Sequence, residues 1–205
     1  MGKSYRYWFV FCVFCFLFFQ EGWGQNNDPI PWKRDTIIKD NVFKIYSNWL
    51  SGGGGVGQSS LRGKMPQFVG GVDYNFHIQD KYFQVGVLVS GDAYDNYGFF
   101  QYSNYTNYEL HACLMKRYET AALNFSYCGG LAVSEFYIWN DTQQQYDLNK
   151  TVKLYLCAQL IRKITYDVGV GLDVFADVNM QQSLFGARAV LFFCGSYKGK
   201  KADLY

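Results

Sequence analysis

Proline is scarce, at 3 in 205 residues, and an excess of one charge sign is missing: 19 Lys and Arg stand against 17 Asp and Glu. Few prolines leave regular backbone largely unbroken. Balanced charge provides no clustered basic footprint, so nucleic acid is not an expected partner. Disorder requires low hydrophobicity with high net charge, and 49% hydrophobic residues with a net charge of +2 exclude it. Six cysteines are too sparse for a small disulfide scaffold. The run Ser51-Gly52-Gly53-Gly54-Gly55-Val56-Gly57 lacks the Lys-Ser/Thr and the helix of a phosphate loop, and neither a serine-hydrolase elbow nor HExxH occurs. What is abundant is aromatic: 18 Tyr, 18 Phe and 5 Trp, beside a mean hydropathy of only -0.15.

The first 24 residues read as an export signal. Lys3 and Arg6 precede an apolar run from Tyr7 to Phe19, and Gly22-Trp23-Gly24 places small residues where a signal peptidase accepts them. Cleavage after Gly24 is expected, with Gln25 as the mature N-terminus. The apolar run is 13 residues long, short of the ~20 that a spanning helix needs. No later stretch approaches a helical span. An exported chain of this kind is soluble or is a closed barrel, the other fold that satisfies its backbone in lipid. Residues 25–40, with Pro29, Pro31 and Trp32, lack a strand pattern and are expected as a periplasmic lead-in.

From Asn41 onward, hydrophobicity alternates with a period of two. Phe68, Val72, Tyr74 and Phe76 oppose Val69, Asp73, Asn75 and His77; Val85, Val87 and Val89 oppose Gln84, Gly86 and Ser90. Leu110, Ala112 and Leu114 oppose Glu109, His111, Cys113 and Arg117, and Ala187, Ala189 and Leu191 oppose Arg188 and Val190. Eight such strands fit between residues 41 and 194, the first and least regular being Phe43–Trp49. Their length suits tilted membrane strands. Short connections (Gln79–Lys81, Glu119–Ala121, Arg162–Thr165) alternate with long polar ones (Ser51–Lys64, Asp92–Asn107, Asn140–Lys150, Phe175–Gln181). That order predicts an all-β, eight-stranded antiparallel up-and-down transmembrane barrel with both termini at the short-turn end. Aromatics near strand ends (Trp49, Tyr82, Phe83, Tyr108, Tyr118, Tyr137, Trp139, Tyr166) are expected as interfacial girdles. A secreted lipocalin-type barrel, apolar face inward, is the competing arrangement. The small residues of the polar face favour a crowded interior over a solvated wall.

On this architecture the chain resembles the small outer-membrane barrels of Gram-negative bacteria, the OmpA-transmembrane-domain and OmpX-like group, across about Asn41 to Phe193. The resemblance implies a porin-like cell-envelope protein in the bacterial outer membrane, with outer-membrane lipid as its first partner. An envelope protein partner is expected through the extracellular loops or the N-terminal segment. Such barrels usually end on an aromatic closing the last strand. Here residues 195–205 follow as a short basic tail.

Eight strands enclose a lumen that side chains fill, not an aqueous pore. With the polar faces inward it holds Lys44, Asp73, His77, Glu109, His111, Arg117, Lys153, Asp167, Asp173 and Arg188. Buried charges need partners, so a plug of structural ion pairs is expected, with Gly171 opposite Arg188 and Asp173 opposite Gly186. Cys113, Cys128, Cys157 and Cys194 also face inward, as small filler or as disulfides; Cys113 is expected opposite Cys128, and Cys157 near Cys128. No cofactor or metal site is indicated. His77 and His111 lack a specified Ser/acid pair, so a lipid A-modifying enzyme is the minor reading. Tyr94, Tyr97, Phe99, Phe100, Tyr102 and Tyr105, within Asp92–Tyr108, have the composition of a recognition surface.

Overall fold

A run of residues that is polar on one side and apolar on the other hides one face only by packing against other strands, and eight of them achieve it by closing into a cylinder. The computed structural model describes residues 35–38, 41–44, 47–62, 66–79, 81–92 and 105–200. The expected export signal and most of the lead-in lie outside these residues. Among the described residues there is no α-helix, only a 3-10 turn at Ser60–Arg62. The strands are β1 (Asp35–Ile38), β2 (Asn41–Lys44), β3 (Trp49–Ser59), β4 (Pro66–Ile78), β5 (Lys81–Asp92), β6 (Tyr105–Glu119), β7 (Leu123–Asn140), β8 (Gln145–Lys163), β9 (Val168–Val178), β10 (Leu184–Cys194) and β11 (Tyr197–Lys200). Strands β3 to β10 pair in sequence order, and β10 returns to β3 to close the barrel.

The alternation is oriented as the small-residue argument requires. Val72, Val87, Leu110, Leu131, Leu160, Leu172 and Leu191 point out and are exposed. Asp73, Gln84, Glu109, His111, Lys153, Asp173 and Arg188 point in and are buried. This is the inverse of a lipocalin. On β7 the outward row runs Leu123, Phe125, Tyr127, Leu131, Val133 before Glu135. Ten residues separate its ends, the height that a tilted membrane strand spans.

Aromatics band the exterior at both ends. At the short-turn end Phe76 stacks against Tyr74 and Phe83, at 5.7 and 5.8 Å, and Tyr118 stacks on Phe125 at 6.3 Å. At the other end Tyr108 meets Tyr137 edge-on at 6.1 Å. Trp49 and Tyr82, expected in these girdles, instead face the lumen 5.7 Å apart. Both fall on the inward parity of their strands, and Trp49 is 1% exposed.

Several expectations are corrected. The glycine run is not a loop: Gly52–Gly57 forms the middle of β3, paired on one side with β4 and on the other with β10. Period-two reading fails there because glycine carries no side chain to alternate. The first barrel strand therefore starts at Trp49, and Asn41–Lys44 belongs to a separate sheet, ordered β1-β2-β11. Part of the presumed lead-in and part of the presumed tail are thus strands. Lys44 N–H donates to the Ser196 carbonyl at 2.8 Å, and Phe43 lies 4.8 Å from Tyr166, which sets this sheet at the short-turn end. Finally, the stretch Asn140–Lys150 is mostly ladder, with β7 and β8 paired through Asn140 and Gln145 around a tight turn.

The glycines of β3 are where the barrel closes. A Cβ on Gly53 would fall 1.8 Å from the Ala189 carbonyl oxygen and one on Gly55 1.9 Å from that of Ala187, whereas one on Gly54 meets nothing nearer than 3.7 Å. Gly53→Ala should therefore displace β10 and cost stability at the upper end of overpacking penalties, about 3 kcal/mol. Gly54→Ala should be nearly neutral. Urea unfolding of the two variants in detergent micelles measures the contrast, and equal midpoints would contradict this account of closure.

Candidate functional site

Inward parity delivers polar side chains from all eight strands into one narrow space, where they sort into three layers. The central layer is built on Arg188 of β10. Its guanidinium donates to Asp73 Oδ2 of β4 at 2.9 Å, and through Nε to Asp173 Oδ2 of β9 at 3.1 Å. Asp73 Oδ1 is 2.9 Å from His111 Nε2, and His111 lies flat on Tyr155 at 4.0 Å. Two glycines make the room. A Cβ on Gly71 would stand 2.2 Å from Arg188 Nη1, and one on Gly86 2.2 Å from Asp73 Oδ1.

Near the short-turn end, Arg117 lies over the Trp49 ring at 4.1 Å, donates to the Ser47 carbonyl at 2.8 Å and to Asn124 Oδ1 at 2.6 Å, and pairs with Glu119 at 3.0 Å. Glu119 also pairs with Lys163, whose ammonium sits 3.7 Å over the Tyr166 ring. Tyr166 belongs to the β8–β9 turn, and burial pushes its phenol well above the ordinary value, so it stays neutral. Toward the other end, Lys153 meets Glu109 at 3.3 Å with Asp177 alongside, Ser134 bonds Asn107, and Gln182 bonds the Tyr105 hydroxyl.

Of the residues expected to interact in the lumen, Asp73, Glu109, His111, Arg117, Lys153, Asp173 and Arg188 are all buried there. Three others are not. Lys44 lies in the small sheet. Asp167 occupies the β8–β9 turn and accepts from the Ser196 N–H at 3.0 Å. His77, at the end of β4, is partly exposed with Nδ1 2.9 Å from Asn48 Oδ1.

The register also moves. Arg188 stands directly opposite Asp173, with Gly186 opposite Phe175. The expected pairing was off by two residues because β9 continues to Val178. Cys113 faces Gly130, while Cys128 faces Cys157.

Among the aromatic recognition residues, Tyr94, Tyr97, Phe99, Phe100 and Tyr102 lie outside the described residues. Tyr105 is not a loop residue: it opens β6 and is fully buried facing inward. A different surface element stands out beside them. Beyond Val133 and Val152, the outward ion pair Glu135–Lys150 marks where β7 and β8 leave the apolar belt, and Glu135 holds the Lys150 ammonium above its usual value by hydrogen bonding. Past it, residues 141–150 are exposed on nearly every position, with Trp139 edge-on to Tyr146 at 4.9 Å. Loss of alternation at Asp147-Leu148-Asn149-Lys150 is its sequence signal: on this arm of β8 both faces meet water.

A closed antiparallel cylinder with an apolar wall and an ion-paired lumen has well-defined counterparts. Neisserial surface protein A superposes on 72% of this chain and 96% of its own length, with a TM-score of 0.56 at 11% identity. The fold is that of a small outer-membrane β-barrel. The N-terminal β-barrel domain of Pseudomonas aeruginosa OprF is similar at TM-score 0.48, 9% identity and 71% and 96% coverage of the two chains. Ail, the attachment invasion locus protein of Yersinia pestis, is similar at TM-score 0.48, 11% identity and 74% and 97% coverage. No protein-family model and no curated protein sequence matches this chain.

Within that barrel, Arg188 neutralises two carboxylates that are themselves unexposed. Removing one partner of a buried ion pair costs roughly 3–5 kcal/mol, because the remaining charge stays desolvated. Arg188→Leu should destabilise by that amount. Adding Asp73→Asn and Asp173→Asn should recover part of the loss, since contacting residues are not additive. Additive effects in denaturant unfolding would show that the three side chains do not act as one unit.

Proposed function

We propose that this chain resides in a bacterial outer membrane as a barrel with a side-chain-filled lumen, and that it serves as a surface protein of structural, adhesive or complex-associated kind. The reading is carried by the division of the molecule at Glu135–Lys150. Below that pair the wall is apolar outside and ion-paired inside; above it β7 stays laddered to β6 only through Ile138, and the turn and β8 arm over residues 141–150 are exposed on nearly every position. β7 and β8 are 18 and 19 residues long, against 11 to 15 for the other barrel strands. At ~3.3 Å per residue, the excess amounts to some 10–20 Å of projecting hairpin.

The apolar wall also favours lipid over water. Contiguous exposed apolar area beyond a few hundred Å² is rare on soluble proteins, and here every barrel strand contributes to it. Conduction is disfavoured by the cross-linked charges of the central layer. Enzymatic work on lipid is disfavoured by the engagement of His111, held by Asp73 and stacked on Tyr155 inside the barrel. Partners are accordingly outer-membrane lipid around the wall, and an envelope or external protein at the hairpin, the neighbouring loops or the N-terminal segment.

Membrane fractionation tests the location. The chain should sediment with outer membranes and migrate faster in SDS gels before boiling than after. Recovery in the soluble fraction, with mobility indifferent to boiling, would end the proposal. Orientation is read separately: protease added to intact cells should cut within residues 139–147 and leave a membrane-protected barrel core. Cleavage there only after the outer membrane is opened would place the hairpin on the wrong side.

A further inference from the structure

Three of the four described cysteines meet in the lumen between the central and short-turn layers. Cys113, Cys128 and Cys157 come from β6, β7 and β8, and the Cys128 thiol lies within hydrogen-bonding reach of the other two. Cys157 also contacts Gln84 Oε1 at 3.3 Å. Cys194 is remote from them, bonded to Ser47 near the short-turn end. The ion-pair plug uses none of these thiols.

We propose that Cys128 and Cys157 are an oxidative modification site, joined as a disulfide that staples β7 to β8 inside the barrel, on the short-turn side of the central layer. The register selects this pair. Cys128 stands directly opposite Cys157, and directly opposed residues on antiparallel strands have Cβ atoms about 4.5–5.5 Å apart. A disulfide requires roughly 3.5–4.5 Å, a gap that a small local adjustment closes. Cys113 is opposite Gly130 and so only diagonal to Cys128. Diagonal neighbours lie farther apart than directly opposed ones, about 7–8 Å, so although the Cys113 thiol also reaches Cys128, a bond there demands the larger strand movement. The staple therefore leaves Cys113 and Cys194 as thiols.

The chemistry is a two-electron oxidation. Two thiols lose two protons and two electrons as the Sγ–Sγ bond forms, and a disulfide-bearing thiol oxidant accepts them and becomes a dithiol. Cys128 is 1% and Cys157 8% exposed in the closed barrel, so exchange takes place on the exported chain before closure, and the finished barrel shields the bond from reductants. This inference rests on the proposed export, because disulfides persist in oxidising compartments.

The test uses the full chain taken from its own envelope, quenched in acid and denatured with N-ethylmaleimide without reductant. Mass spectrometry of the four described cysteines should find Cys113 and Cys194 alkylated, and Cys128 and Cys157 in one cross-linked peptide pair that separates on reduction. Cys113→Ser should keep the cross-link. Cys157→Ser should leave Cys128 alkylated. Four alkylated thiols, or a bond involving Cys113 or Cys194, would overturn the assignment. Gel mobility of the same sample before and after boiling separates the two proposals: a heat-modifiable barrel with four free thiols removes the disulfide alone, while loss of heat-modifiability removes the membrane reading.

Discussion

The guanidinium of Arg188, held between Asp73 and Asp173, is the interaction on which the barrel's design turns. A wall that is apolar outside must be polar inside if its strands alternate, and an eight-stranded cylinder is too narrow to hydrate that interior freely. Charge placed there has to be neutralised by charge from another strand. Arg188 does so across three strands at once, from β10 to its neighbour β9 and to β4, which is not its neighbour. The contact thus reaches past β3 and ties together strands that share no ladder.

Such a crossing dictates the small residues around it. Arg188 can reach Asp73 only over Gly71, and Asp73 can meet His111 only over Gly86. The glycines on the polar faces are the negative image of the charged side chains: where one strand projects a long polar group, its neighbour yields volume. The glycine run of β3 applies the same logic to backbone. Its inward positions admit the carbonyls of β10, so the first and last strands of the barrel approach closely enough to seal it. Trp49, Arg117 and Tyr82 then fill the short-turn end beside the Glu119 carboxylate, which Arg117 and Lys163 neutralise.

Most of this was legible because period two is a strong signal when each face has one environment. Strand number, direction, the inward position of seven charged or histidine side chains and the outward apolar rows all follow from it. What was hidden shares one cause: the signal needs side chains, and it needs a difference between faces. Gly52–Gly57 has no side chains to compare, so a barrel strand resembled a loop. Residues 141–150 have water on both faces, so half of a hairpin resembled one too. β2 and β11 are four residues long and meet across a separation in sequence that no local pattern records. The two-residue error at Arg188 arose differently. Parity places a residue on a face, but its partner across the ladder depends on where the turn falls, and the β9–β10 connection is shorter than its composition suggested.

The same distinction separates scaffold from surface. Within the belt each residue answers to two constraints, lipid-like packing outside and charge or volume matching inside, and substitutions there propagate across the lumen. Above Glu135–Lys150 β7 keeps its ladder to β6 only through Ile138, and beyond it the turn and the β8 arm are freed from both, retaining the β7–β8 ladder and local contacts such as Trp139 with Tyr146 and Asn140 with Asp147. A ladder needs no particular side chains to persist, so its exposed positions can vary without disturbing the plug. The molecule therefore combines a lumen whose charged residues are matched to one another with an arm whose exposed positions over residues 141–150 do not enter that matching.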